Sequence, residues 1–323
     1  MSAKSEKRPA TAAVVMLFVT LALAASGCEG GDGSAPPTGT RTPSPSTPSV
    51  PPAHVLAVKI DNVAPARPPT GLENADIVYV ERVEAGLSRI LAAYSSQLPP
   101  VVGPVRSARE SDLELLRQFG RPTLAFSGAQ SKLLPVIAAA PVKALPPGKA
   151  PKGAYFRGGD RAAPHNLYLR PKRAVPDVPG VNAATYAGFS FGPEPAGGKP
   201  TATYGVRYPA ARFAFTWSAQ RRQWLVTMDG TPSRTSAGRP LGAPTVVVQY
   251  VRVRPSKFRD RGGNTTPYTE TVGSGTAIVL RDSKAYKAAW KRPTATSGTT
   301  FTTAGGTRLA FAPGQVWIVY AAR

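Results

Sequence analysis

The chain has 323 residues, enough for about two domains of ordinary size, and carries 40 Lys and Arg against 18 Asp and Glu, a formal charge of +22. One Cys excludes an intrachain disulfide framework or a Cys-cluster zinc site, and two His exclude a three-His metal centre, so neither metal nor cofactor is expected. The 35 Pro and 31 Gly argue against a helical bundle, because both residues break helix interiors.

At the N-terminus Lys4, Lys7 and Arg8 precede an apolar, Ala-rich run from Ala10 to Ala25, and Ser26 and Gly27 lead to Cys28. A basic start, a short apolar run and small residues form a secretory signal, here residues 1–27. A Cys placed directly after small residues resembles a bacterial lipobox, which makes Cys28 a lipidation site and the membrane a partner through that anchor. Ala25 departs from the commoner Leu, and the other reading is an ordinary signal peptide or an uncleaved anchor. Residues 28–53 read as a disordered linker, because Pro, Ser, Thr and Gly supply 19 of the 25 residues from 29 to 53. At about 3.1 Å per residue such a tether reaches roughly 75 Å. The expected location is therefore outside the cell, lipid-anchored to the outer face of the cytoplasmic membrane and extending into the cell wall. Nucleic acid is not an expected partner there.

From His54 onward the pattern is that of folded chain. Val55–Ile60, Ala75–Val80 and Ile90–Tyr94 are apolar runs that read as strands. Ser111–Phe119 reads as a helix, with Ser111 and Glu114 as a capping box and Leu113, Leu116 and Phe119 on one face. Thr123–Phe126 reads as a strand, and Ser131–Ala140 as a helix weakened by Pro135. Strands mixed with helices over residues 54–197 predict a mixed α/β domain.

After Tyr204 the periodicity is two. Phe213, Phe215 and Trp217 alternate with polar neighbours, as do Trp224, Val226 and Met228, and Asp229-Gly230 is a hairpin signal. Further strands are expected at Thr245–Arg254, Thr276–Leu280, Ala285–Trp290, Thr307–Ala312 and Gln315–Tyr320. Residues 204–323 thus predict a small antiparallel all-β domain, and the chain as a whole an α+β protein. Its basic residues, including Arg252, Arg254, Lys257, Lys291 and Arg292, read as a solvated face or as contacts for envelope anions.

Five strings stand out in the first segment: K-I-D-N (Lys59–Asn62), A-R-P-P-T-G-L (Ala66–Leu72), N-A-D-I-V-Y (Asn74–Tyr79), G-P-V-R-S-A-R (Gly103–Arg109) and P-H-N-L-Y (Pro164–Tyr168). The second adds G-S-G (Gly273–Gly275), W-K-R (Trp290–Arg292) and P-G-Q-V-W (Pro313–Trp317). In order and spacing they resemble the YerB-like lipoproteins, domain-of-unknown-function family 3048, across residues 54–322. The resemblance implies the two-domain arrangement and brings no established activity. Val80 stands where many relatives carry Glu, so a role for that Glu would pass here to Glu81 or Glu84.

The richest constellation is Arg106, Ser107 and Arg109 immediately before the capped helix, where free N–H groups and guanidinium forks suit an anion. Arg67 and Arg89 are candidates for the same cluster. The opposing reading pairs these arginines with Asp61, Asp76, Glu81, Glu84, Glu110 or Asp112 inside the fold. His165, with Asn166 beside it in a Pro- and Gly-rich loop, is the histidine suited to acid–base work or to fixing that loop. Two functions follow as expectations. The first is a non-enzymatic binding module for an anionic cell-wall polymer or an envelope partner protein. The second is an envelope hydrolase acting on glycan or phosphoester through Asp61, Glu84 and His165.

Overall fold

The computed structural model describes residues 54–175, 177–260 and 262–323. The expected signal segment, Cys28 and the linker over 28–53 lie outside the described residues.

Three runs that read as apolar become strands β1 (Leu56–Ile60), β2 (Ile77–Arg82) and β3 (Ser88–Tyr94), almost wholly buried. Helix α1 (Glu110–Leu116) follows and closes in a 3-10 turn that ends at Gly120, whose φ of 72° few other residues adopt. Strand β4 (Thr123–Ala125), helix α2 (Leu134–Ala139) and strand β5 (Lys143–Leu145) complete this part, and Pro135 is accommodated in the first turn of α2. A hairpin of β6 (Tyr155–Arg157) and β7 (Leu167–Leu169) precedes two short helices, α3 (Pro171–Ala174) and α4 (Ala183–Tyr186).

The rest is strand: β8 (Lys199–Pro200), β9 (Thr203–Tyr208), β10 (Ala211–Ser218), β11 (Gln223–Met228), β12 (Thr231–Pro232) and β13 (Gly242–Ala243). Then come β14 (Thr245–Val251), β15 (Val253–Arg259), β16 (Thr265–Thr269), β17 (Gly273–Arg281), β18 (Lys284–Arg292), β19 (Thr300–Thr302) and β20 (Val316–Ala322). Turns fall where their residues demand. Asp229 and Gly230, with φ of 51° and 86°, join β11 to β12, and Asp282 and Ser283, with φ of 46° and 60°, join β17 to β18.

One large sheet runs β19-β18-β17-β14-β20-β2-β3-β1-β4-β5, with β8 beside β18, and draws on both segments of the sequence. Its seam is β20, parallel to β14 on one side and to β2 on the other, with Ile77 opposite Val316 and Val80 opposite Val319. Since β3 is antiparallel to both β1 and β2, and β4 and β5 are parallel to β1, strands β1, β2, β4, β5, β14 and β20 all point one way. The second segment is therefore β-rich as expected, but not purely antiparallel. The expected strand at Thr307–Ala312 does not form beyond isolated bridges at Arg308 and Phe311. Its alternation reflects Leu309 and Phe311 buried in a core, and Arg281 Nη1 takes the Ala310 carbonyl at 2.8 Å.

Alternation along the central strands separates two cores. One face (Ala57, Tyr79, Leu91, Ile318) lies under α1, α2 and α4. The other (Val58, Val80, Ile90, Trp317) lies under a second sheet of β9 to β13, where Phe215 meets Trp317 edge-on at 6.2 Å.

Arg292, expected on a basic surface, is fully buried. Its guanidinium donates to the Glu114 and Leu115 carbonyls in the last turn of α1 at 2.9 and 3.2 Å, to Thr271 Oγ1 at 2.7 Å and to the Ala295 carbonyl at 2.6 Å. A cation at a helix C-terminus satisfies carbonyls that the helix leaves unpaired. Arg292→Met should cost about 3–5 kcal/mol, because each orphaned buried acceptor costs about 1–3 kcal/mol. Urea unfolding with an unchanged m-value would measure it, and an unshifted midpoint would contradict this clasp.

Candidate functional site

The apolar alternation of β1, β2 and β3 turns to charge at one end of the sheet. On the α1 face, Val55 and Ala57 are followed by Lys59 and Asp61, Ile77 and Tyr79 by Glu81, and Ala93 and Leu91 by Arg89. Glu81 lies directly across from Arg89, while Ile60 pairs with Ile90, which brings Asp61 beside Arg89. This is the carboxyl end of the parallel strands, the edge at which open α/β sheets place ligands.

Helix α1 points its N-terminus at this row. It starts at Glu110, one residue before the expected cap. Asp112 accepts the Arg109 backbone N–H at 2.7 Å, so Asp112, not Ser111 with Glu114, closes the first turn. Ser111 donates its hydroxyl to Glu81 at 2.8 Å, and Glu114 reaches the Tyr268 hydroxyl at 3.0 Å. The tighter demand of buried acids and hydroxyls outcompetes the local capping pattern.

Charges here are matched. Lys59, with no exposed surface, contacts Glu81 and lies 2.7 Å from Asp112. Asp61 Oδ1 accepts from Arg89 at 2.8 Å and from the Asn62 N–H at 2.9 Å. Asp61 Oδ2 faces Arg106 Nε at 3.1 Å and His165 Nδ1 at 2.9 Å. Arg109 clamps Glu84 Oε2 through Nη2 and Nε at 2.6 and 3.0 Å, and Thr266 of β16 donates to Glu84 Oε1 at 2.6 Å. Burial lowers Lys59 to about 8 and Arg89 to about 10, against the pull of Asp112 and Asp61 respectively. Burial acts to raise the Glu84 carboxyl, but the Arg109 guanidinium and the Thr266 hydroxyl more than offset it and hold it below its ordinary value.

The candidate residues therefore converge, with different tasks. Arg89 and Arg109 are engaged by buried acids. Arg67 spans the Asn62 carbonyl at 2.7 Å and Asp229 at 2.8 Å. Ser107 is half-buried and its carbonyl accepts from Arg109 at 3.0 Å. Asn166 closes the β6–β7 hairpin, accepting from Arg157 at 2.7 Å and donating to the Gly158 carbonyl at 3.0 Å. Arg106 and His165 keep solvent-facing surface, 28% and 21% of their side chains. If His165 donates Nδ1–H to Asp61, Nε2 remains a free acceptor. Lys59, Ser111, Asp112 and Thr266 were not foreseen as site residues. The available signal was a lysine inside the apolar run of β1.

Comparison with known proteins bears on this arrangement. Residues 38–182 match the profile described as "Protein of unknown function (DUF3048) N-terminal domain", and residues 204–318 match the corresponding C-terminal domain. A relative in Bacillus subtilis (strain 168), named "Putative lipoprotein YerB", is 47% identical over 64 residues, 20% of this chain and 19% of that protein's length. The crystal structure of the YerB protein from Bacillus subtilis superimposes with a TM-score of 0.68 at 20% identity, covering 83% of this chain and 90% of that one. At that identity the likeness is one of fold.

Two stability measurements follow. Lys59→Met leaves Glu81 and Asp112 buried without their cation, and should cost about 3–5 kcal/mol in chemical denaturation. An equally stable variant would show that Lys59 is not the neutralising charge. Glu84 is held below 4.5, its ordinary value, so it binds fewer protons folded than unfolded. Its contribution is complete above that value and is lost as pH falls through the lower folded one. The stability difference between the native chain and Glu84→Gln should therefore shrink on acidification below pH ~4.5. A difference constant with pH would contradict the pairing.

Proposed function

We propose, on the premise that the chain belongs to the DUF3048 family, that it is an exported, lipid-anchored binding module for an anionic cell-wall polymer. The observation that carries this reading is the pairing of Arg106 and His165 on a single buried oxygen, Asp61 Oδ2, with their outer surfaces open to solvent. Every other cation of the network is turned inward and answered by a carboxylate. Asp61 holds the two groups in place without reaching solvent itself. An approaching phosphate or carboxylate meets a preset guanidinium and imidazole at the carboxyl edge of the sheet.

Anchorage at Cys28 draws its support from the lipobox-like residues Ala25–Cys28 and from the printed name of the Bacillus subtilis relative. Among the described residues no helix is long and apolar enough to cross a membrane.

A hydrolase reading rests on the 2.9 Å contact of Asp61 with His165, which orients an imidazole as a base. Glu84 fits a proton donor poorly, because it is held ionised by Arg109 and Thr266. Binding is the reading better matched to a network in which the acids are already engaged.

The test is binding of the full chain, in detergent micelles, to a purified poly(glycerol phosphate) polymer. Arg106→Ala should weaken binding about tenfold, the loss expected for one charge-assisted contact of about 1.5 kcal/mol, and His165→Ala should weaken it less. Native binding should fall steeply with salt. Undiminished binding by Arg106→Ala would overturn the site, and capture of an envelope protein with no polymer binding would overturn the ligand.

A further inference from the structure

Strand alternation sends Glu81 to the α1 face of the large sheet and its neighbour Arg82 to the opposite face. There, at the carboxyl ends of β2, β14 and β20, a cleft of about 400 Å³ opens between the two sheets. That volume lies in the usual range for a small-molecule site, about 300–1,000 Å³. The cleft is not the Asp61 network: none of Asp61, Arg106 or His165 lines it.

Its chemistry is divided. Val206, Val248 and Ala321 give an apolar floor, braced where the Tyr208 hydroxyl donates to the Tyr320 carbonyl at 2.8 Å. Arg82 and Arg207 lie in the wall, and among the described residues neither makes an ion pair. Tyr250 adds a hydroxyl, hydrogen-bonded to the Tyr204 hydroxyl at 3.0 Å, with capacity for a further partner. Burial and this contact raise the Tyr204 hydroxyl above its ordinary value, so it stays a donor at neutral pH. Gly205 lines the rim of the cleft with its backbone, while its Cα hydrogens lie opposite Ala214 on the outer face of the second sheet.

We infer that this cleft is a second ligand site, for a sugar or polyol unit that carries a phosphate or carboxylate. A bare anion would answer the two arginines and leave the apolar floor wet. A neutral sugar would cover the floor and leave the arginines unanswered. A ligand with both an anion and a ring uses the whole surface, with the guanidinium forks on the anion and the tyrosine hydroxyls on ring hydroxyls. The same unit exists free or as a link in a polymer, and the cleft is open enough at its rim, where Gly205 and Arg207 are exposed, to take either. The inference stands apart from the polymer site at Arg106 and survives its failure.

The experiment titrates the full chain in detergent micelles with glucose 1-phosphate, glucose and inorganic phosphate, followed by calorimetry and by NMR shifts. Glucose 1-phosphate should bind saturably, at least tenfold tighter than either fragment, with shifts centred on Gly205 and Tyr250. Arg82→Ala combined with Arg207→Ala should weaken it tenfold or more, and Arg82→Lys with Arg207→Lys should recover part of that loss. Ala321→Leu, which places side-chain carbons in the cleft, should abolish binding at an unchanged melting temperature. Arg106→Ala should leave it intact. A polymer carrying the same sugar phosphate, competing with the free compound in the native chain and not in Ala321→Leu, would identify the polymer as the source, whereas no competition would identify the free compound. Glucose 1-phosphate binding no tighter than inorganic phosphate, or equal binding by Ala321→Leu, would overturn the inference.

Discussion

A lysine ammonium taken wholly out of water has to be answered by carboxylate, and at Lys59 that requirement decides where three separate stretches of chain lie. Glu81 arrives from β2, and Asp112 from α1. Asp112 in turn holds the first turn of α1, and Glu81 holds the Ser111 hydroxyl. Breaking a buried pair costs far more than forming one gains. The network is thus a condition on the fold more than a source of stability: only an arrangement that brings β1, β2 and α1 to one point avoids an unmatched charge.

The second segment is tied to the first by the same logic, applied to hydrogen bonds. Thr266 on β16 completes Glu84, Ser256 on β15 reaches Glu110 at 2.5 Å, and Tyr268 and Thr271 complete Glu114. Arg292 on β18 closes the far end of α1. A seven-residue helix has little stability of its own. Here it is gripped at both ends by strands that follow it by well over a hundred residues, and β20 inserts between β14 and β2. The two sequence segments meet as one sheet because neither has all the partners its buried polar groups require.

This explains what the sequence made legible. The central strands, α1 and the Asp229-Gly230 turn could be read because their signals are local: periodicity, a polar run and a positive-φ pair. The parallel seam at β20 could not, because an apolar run of its kind looks the same whichever strand lies beside it. The loops bearing Arg67, Arg106 and His165, singled out by their motifs, converge around Asp61 and Asn62. Their division of labour was hidden, since an arginine before a helix reads alike whether a ligand or a buried acid awaits it. Arg292 is the instructive case. Trp290 and Arg292 share a face of β18 and Lys291 takes the other, so alternation already placed the arginine inward, but its charge argued for a surface.

The geometry also bears on why few side chains remain for chemistry. With 18 acids against 40 basic residues, a buried cation that claims a carboxylate draws on a scarce supply, and Arg292 is answered by carbonyls and a hydroxyl instead. Asp61, Glu81, Glu84 and Asp112 are committed to that work. An enzyme needs an acid or base whose proton can move, and these four carboxylates are each engaged by a buried cation. Binding makes no such demand. It needs charge held in place and partly exposed, and a protein with surplus cations supplies it wherever an arginine is left over. The carboxyl edge of the sheet gives that surplus two outlets, Arg106 beyond Asp61 on one side and Arg82, at the end of β2, on the other. A basic composition whose nearby acids are engaged by buried cations leaves other arginines with their charge turned to solvent, the arrangement that anion recognition uses.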